Sequence, residues 1–226
     1  IFNKDTFLEL VRDFIVFQTT PKFTKLVAWD YQYDAIKEAI KRTLKAYRSE
    51  DRRIGVIFHS QGAGKSLEMV FYVMKVLRLP ELENPTVLIL TDRNDLDDQI
   101  YEKFSAMDRE HGVSPIQAET VEHLKELLKT PAGGVIFSTV QKFKAEDKHF
   151  PLLSSRKNII VIADEAHRSH YNFISGYARY IREALPNALY AGFTATPIEL
   201  GDRSTTQVFG EHIHVFDLSD ATTAGV

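Results

Sequence analysis

Eight consecutive residues, His59-Ser60-Gln61-Gly62-Ala63-Gly64-Lys65-Ser66, have the types and spacing of a loop that holds phosphate. Gly62 and Gly64 let the backbone turn so that successive N–H groups face phosphate oxygens, and a helix behind them adds the positive end of its dipole. With Gln61 and Ala63 completing the loop, Lys65 would reach the β and γ phosphates and Ser66 would ligate Mg²⁺. The loop departs from the usual pattern at its first position, where His59 stands in place of a glycine. Farther along, Ile159 to Ala163 is an apolar run that ends in Asp164-Glu165-Ala166-His167. A buried strand ending in two carboxylates holds them at the carboxyl edge of a sheet, where ligands bind in open α/β folds. Asp164 would hold Mg²⁺ and Glu165 would orient and polarise an attacking water. Together with Lys65 they supply the positioning and charge stabilisation that phosphoryl transfer requires. A third group, Gly192-Phe193-Thr194-Ala195-Thr196-Pro197, ends another apolar run. Its hydroxyls, Thr194 and Thr196, suit a relay between the nucleotide and a second ligand.

Positioning these groups takes a particular kind of scaffold. Short runs at Gly55 to Phe58, Val87 to Leu90, Gly134 to Phe137, Ile159 to Ala163, Ala188 to Phe193 and Ile213 to Phe216 are apolar at consecutive rather than alternate positions. Strands covered on both faces, as in a parallel sheet, read this way. Between them, helical spacing marks Asp30 to Tyr47, Ser66 to Leu77, Asn94 to Met107, Thr120 to Leu128 and Phe173 to Leu185. The alternation predicts a three-layer α/β domain with a mostly parallel central sheet. Asp5 to Phe17 reads as a further amphipathic helix, ended by Thr19 to Pro21, and residues 1–20 are assigned to a preceding domain or linker. Residues 21–226 form the principal domain.

Composition limits the alternatives. A length of 226 residues suits one large α/β domain better than two. Lys and Arg total 28 against 31 Asp and Glu, a net charge of −3, so the chain lacks the basic excess of a nucleic-acid coat and any such contact must be local. The absence of cysteine removes disulfide and zinc-cysteine scaffolds. No apolar run approaches the roughly 20 residues needed to span a bilayer. With no leader pattern either, the reading is a cytoplasmic piece of a longer protein, with no membrane partner.

In this order, the three motifs resemble the first RecA-like domain of superfamily two helicases and translocases, P-loop ATPases by fold. Three stretches narrow the resemblance to the motor (R) subunit of type I restriction endonucleases: Leu88 to Gln99, Gly134 to Phe143, and Ala163 to Ser169. The likeness runs from about Tyr31 onward. It implies ATP as substrate, Mg²⁺ as metal, and catalytic roles for Lys65, Asp164 and Glu165. It places His167 with Thr194 and Thr196 as coupling residues. It puts Thr91, Asp92, Arg93, Thr139 and Gln141 on motifs that meet DNA, where loops after strands offer N–H groups, hydroxyls and a guanidinium to phosphates without reading sequence. Gln32, between Tyr31 and Tyr33, falls where related motors pair a glutamine with the adenine edge, which a side-chain amide can match. The resemblance further implies double-stranded DNA and methyltransferase and specificity subunits as partners. A nuclease domain upstream and a second RecA-like domain downstream would complete the protein. No candidate for the second domain's arginine finger is present, so the chain alone is expected to bind nucleotide weakly and hydrolyse it slowly.

Other residues carry less. His212 and His214 share a strand face without a third ligand and read as ordinary edge histidines. Glu146-Asp147-Lys148 fits half of a nuclease motif but lacks a strand context and a paired acid. Asp92 to Asp98 could cap and charge a helix start as well as serve DNA. Trp29 and the phenylalanines read as core or interface. The rival functions are an RNA helicase of the same superfamily and a nucleotide-dependent DNA-binding module without turnover.

Overall fold

The computed structural model describes residues 3–18, 22–91, 100–101, 103–105, 114–130, 133–143, 150–166, 177–196 and 203–224. In chain order the elements are α1 (Lys4–Asp13), β1 (Ile15–Gln18), β2 (Thr24–Val27), α2 (Asp30–Arg48), β3 (Arg53–His59), α3 (Lys65–Leu77), β4 (Thr86–Thr91) and β5 (Ile116–Gln117). They continue with α4 (Val121–Lys129), β6 (Gly134–Thr139), β7 (Ile159–Asp164), α5 (Tyr177–Ala184), β8 (Leu189–Thr194), α6 (Arg203–Phe209), β9 (His212–Phe216) and α7 (Leu218–Ala224). Seven strands make one sheet in the order β5-β6-β4-β7-β8-β3-β9, and every pairing in it is parallel. The expected α/β architecture is observed, with helices on both faces.

The consecutive apolar runs have a direct cause. Alternate side chains of a strand point to opposite faces, and here both faces are core. Ile57, Val87, Ile89, Phe137, Ile160, Ile162 and Phe193 pack on one side with α2 and α3. Val56, Leu88, Leu90, Ile136, Val161, Ala163 and Tyr190 pack on the other with α4, α5 and α6. All six predicted runs are strands, and the helices at 30–47, 66–77 and 120–128 lie within a residue or two of prediction. Most of the helix expected at 94–107 and the start of that expected at 173–185 lie outside the described residues.

The N-terminal segment departs from expectation. The helix predicted through Phe17 stops at Asp13, and Ile15 to Gln18 instead pairs antiparallel with Thr24 to Val27. Ile15, Val16 and Phe17 are β-branched or aromatic, types that lose χ1 freedom in a helix and suit a strand. Phe14, the C-cap of α1, and Val16 on β1 both reach the core. β5, two residues long, is also additional. Among the described residues no helix is long and apolar enough to cross a membrane.

Candidate active site

The carboxyl ends of the strands form one row: Thr139 on β6, Thr91 on β4, Asp164 on β7, Thr194 on β8, and the loop after His59 on β3. Register makes the row level, with Thr91 opposite Thr139, Asp164 opposite Phe193 and Phe58 opposite Thr194. Adjacent strands lie about 4.8 Å apart, so the ends of β3 and β7, with β8 between them, are on the order of 10 Å apart.

The loop itself has the backbone its sequence implies. Gly62 and Gly64 have φ of 90° and 83°, the left-handed region open to glycine. A Cβ on Gly64 would meet Gln32 Nε2 at 2.8 Å, so the second glycine also permits a close approach. α3 begins at Lys65 with Gly64 as its cap residue and no side-chain cap, which leaves its first N–H groups to an anion. Lys65 Nζ donates long bonds to His59 O (3.3 Å) and Ser60 O (3.4 Å), contacts easily exchanged for phosphate oxygens. Ser66, in the first turn, is partly exposed, and Gln61 is exposed.

Around the loop stands a brace that motif reading did not reveal. Tyr31 Oη and Gln32 Nε2 both donate to Ala63 O, at 2.9 and 3.0 Å, while Gln32 Oε1 accepts from Trp29 N at 3.0 Å. Gln32, 1% exposed, thus commits both ends of its amide to backbone groups, and an adenine edge would have to take over those bonds. Burial and the nearby Glu68 charge push the Tyr31 phenol up to about 12, keeping it a proton donor. Its ring stacks on Phe216 at the end of β9 (centroids 3.9 Å), and Phe216 O accepts from Ser60 N at 2.9 Å. Beneath the loop, His59 Nδ1 lies 2.6 Å from Glu68 Oε1 and His59 Nε2 lies 2.8 Å from His214 Nδ1. The edge histidine His214 is therefore one end of a buried chain. The one sequence signal for this brace is His59 standing where glycine is usual.

Asp164 is 8% exposed and its Oδ1 accepts from Glu165 N at 3.0 Å. Glu165 has φ 51°, and Ala166 N then bonds Phe193 O at 3.0 Å, folding the acidic turn over β8. Gly192 makes room for it, since a Cβ there would lie 2.8 Å from Ala166 Cβ. No group of three metal-ligating side chains exists among the described residues. Ser66 and Asp164 as sole protein donors nevertheless fit Mg²⁺, which keeps waters and takes one or two protein oxygens plus phosphates. Thr194 is buried and its Oγ1 accepts from Thr196 N at 3.3 Å, with Thr196 itself exposed.

At the other end of the row, the Thr91 hydroxyl is buried with no partner among the described residues. Thr139 Oγ1 accepts from Lys142 Nζ at 3.3 Å, and Gln141 is exposed. Asp92, Arg93, His167 and the Glu146-Asp147-Lys148 stretch lie outside the described residues. A large open groove between α2, the start of β3 and α6 sits at the opposite, amino edge of the sheet, away from this row.

The profile of the SWI2/SNF2 ATPase family matches residues 31–226. The chain is similar to the type I restriction enzyme HindI endonuclease subunit of Haemophilus influenzae, 44% identical over 240 residues, covering 100% of this chain and 23% of that protein. A relative from Methanocaldococcus jannaschii is 44% identical over 232 residues, covering 100% of this chain and 21% of its own length. The chain thus spans between a fifth and a quarter of these relatives. Among solved structures, the UvsW helicase of bacteriophage T4 superposes with a TM-score of 0.60 at 19% identity, over 92% of this chain and 66% of that one.

Proposed function

The chain belongs to the SWI2/SNF2 ATPase family, and from that premise we propose that it is the ATP-binding and ATP-hydrolysing domain of a type I restriction motor subunit. In this reading hydrolysis drives movement along double-stranded DNA, and cleavage belongs to a separate nuclease domain of the longer protein. The observation that carries it is the single row at the sheet's carboxyl edge, with the phosphate loop toward one end, Thr91 and Thr139 toward the other, and Asp164 and Thr194 between.

The loop N–H groups and Lys65 bind the triphosphate and face the charge that builds on the γ-phosphoryl oxygens. Ser66 and Asp164 would hold Mg²⁺, whose chemistry is to neutralise charge across the β and γ phosphates. Glu165 orients and polarises the water that attacks the γ-phosphorus while ADP leaves. Thr194 and Thr196, with His167, carry the change at the nucleotide toward the strand ends that meet DNA. There Thr91, Asp92, Arg93, Thr139 and Gln141 make up the two motifs that meet the sugar-phosphate backbone of one strand, with Thr91, its hydroxyl buried, backing the contact rather than making it. Gln32 braces the loop, and to select adenine its amide would exchange its bonds to Trp29 N and Ala63 O for the base edge. The methyltransferase and specificity subunits would choose the DNA target, and the cytoplasm is where such DNA is met.

Two variants of the full-length protein test the site. Lys65→Ala is expected to abolish ATP binding, and Glu165→Gln to keep binding while lowering turnover by a factor on the order of 10² or more. ATP-driven translocation retained by both would sink the assignment.

A further inference from the structure

We propose that His59, Glu68 and His214 are positioning residues for nucleotide turnover. Their hydrogen-bonded chain across the base of the phosphate loop sets where Lys65 stands and ties it to the end of β9. The inference rests on the ATP-site reading above.

His59 and Glu68 are wholly buried, and Glu68 lies one turn into the helix that Lys65 begins. A carboxylate oxygen accepts, so His59 Nδ1 donates to Glu68 and, in the neutral ring, Nε2 accepts from His214 Nδ1–H. The backbone carbonyl of the same His59 accepts from Lys65 Nζ. Two residues beyond His214, Phe216 O holds Ser60 N, and the Phe216 ring backs Tyr31, which holds Ala63 O. The strand-to-loop junction, the loop crest and the helix start are thus referred to one edge strand. A glycine at position 59 would leave Glu68 Oε1, like Oε2 now, without a hydrogen-bond partner among the described residues. An apolar pair would fill the space at less cost, whereas a buried polar chain selects one arrangement. None of the three side chains belongs to the set that meets phosphate, so they act through Lys65 and the loop backbone.

His59→Ala would strand the Glu68 carboxylate in the core, so the partly exposed end of the chain is the one to cut. The full-length protein with duplex DNA is assayed for ATP turnover as His214→Ala and as His214→Asn, which keeps a donor at the δ position. His214→Ala is expected to lower kcat about tenfold with KM for ATP changed less than about twofold, since small misplacements cost more in the transition state than in binding. His214→Asn is expected to recover most of that loss. Unchanged kcat in His214→Ala, equal losses in the two variants, or a loss that follows thermal stability would overturn the proposal. Lys65→Ala run in parallel separates the two readings. An active Lys65→Ala defeats the ATP-site reading itself, whereas an inert Lys65→Ala beside a fully active His214→Ala defeats only the positioning role.

Discussion

Glu165 holds φ 51°, a left-handed conformation that costs a non-glycine residue about 1–2 kcal/mol. Two bonds fix it there, Glu165 N to Asp164 Oδ1 and Ala166 N to Phe193 O, so the backbone at the proposed water-orienting carboxylate is set by its neighbours. His214 is another residue whose surroundings change its chemistry. Burial holds its imidazole below the usual 6.5, the neighbouring His59 adds to that, and the Asp34 and Asp220 carboxylates oppose it. Because the unfolded chain takes up this proton at a higher pH than the folded one, the contribution is intact above about pH 6.5 and is lost as pH falls through the folded value. The urea midpoint of the wild type is therefore expected to drop between pH 7.5 and pH 5.5 by more than that of His214→Asn. Parallel pH profiles for the two proteins would remove His214 as the cause.

Among elements, the decisive contact is between the turn after β7 and the strand β8. Gly192 on β8 lies under Ala166, and its added Cβ would also meet the Phe209 ring of α6 at 3.3 Å. Neither neighbour is the tip of a flexible chain, so Gly192→Ala must push the acidic turn outward or strain the sheet. The expected cost is about 2 kcal/mol, read as a lower denaturant midpoint. A midpoint equal to the wild type's would mean that the turn gives way freely and does not hold Glu165. α1 is tied to the far end of the loop helix by a denser network. Asp13 accepts from Arg12, Lys75 and Arg78, and Glu9 pairs with Lys75. Burial would raise the Asp13 carboxyl, but Arg12 and Lys75 hold it below its usual range.

On the scale of the whole molecule, the first described residues share the core of the sheet. Phe14 is fully buried, its ring 4.9 Å from that of Tyr33 on α2 and 5.5 Å from that of Phe71 on α3. Phe14→Ala is expected to cost about 3 kcal/mol, as large-to-small changes in packed cores do, and to lower Tm by about 6–12 °C for a domain of this size. A fall under about 2 °C would show the N-terminal segment to be thermally independent of the sheet. The same scale accounts for function being divided along one edge. Parallel strands all deliver their carboxyl ends to the same side, so the glycine loop after His59 and Thr91, Thr139 and Thr194, far apart in the chain, can share a row.

Much of this was legible in one dimension. The six apolar runs, the two glycines with Lys65 and Ser66, and the acidic box are local patterns, because strand burial and loop conformation are dictated by neighbouring residues. Ile15 to Phe17 reads as a continuation of the helix in one dimension because three residues carry little periodicity and their pairing partner lies across a turn. The sequence by itself determined the strands, the backbone of the glycine loop ahead of α3 and the family to which the chain belongs. Only the tertiary structure decided that His59 joins Glu68 to His214, that Gln32 braces the loop, and that Gly192 yields its volume to Ala166. Those contacts link residues 9 to 155 positions apart, and a hydrogen bond or a close approach depends on distance in space, which sequence order leaves open.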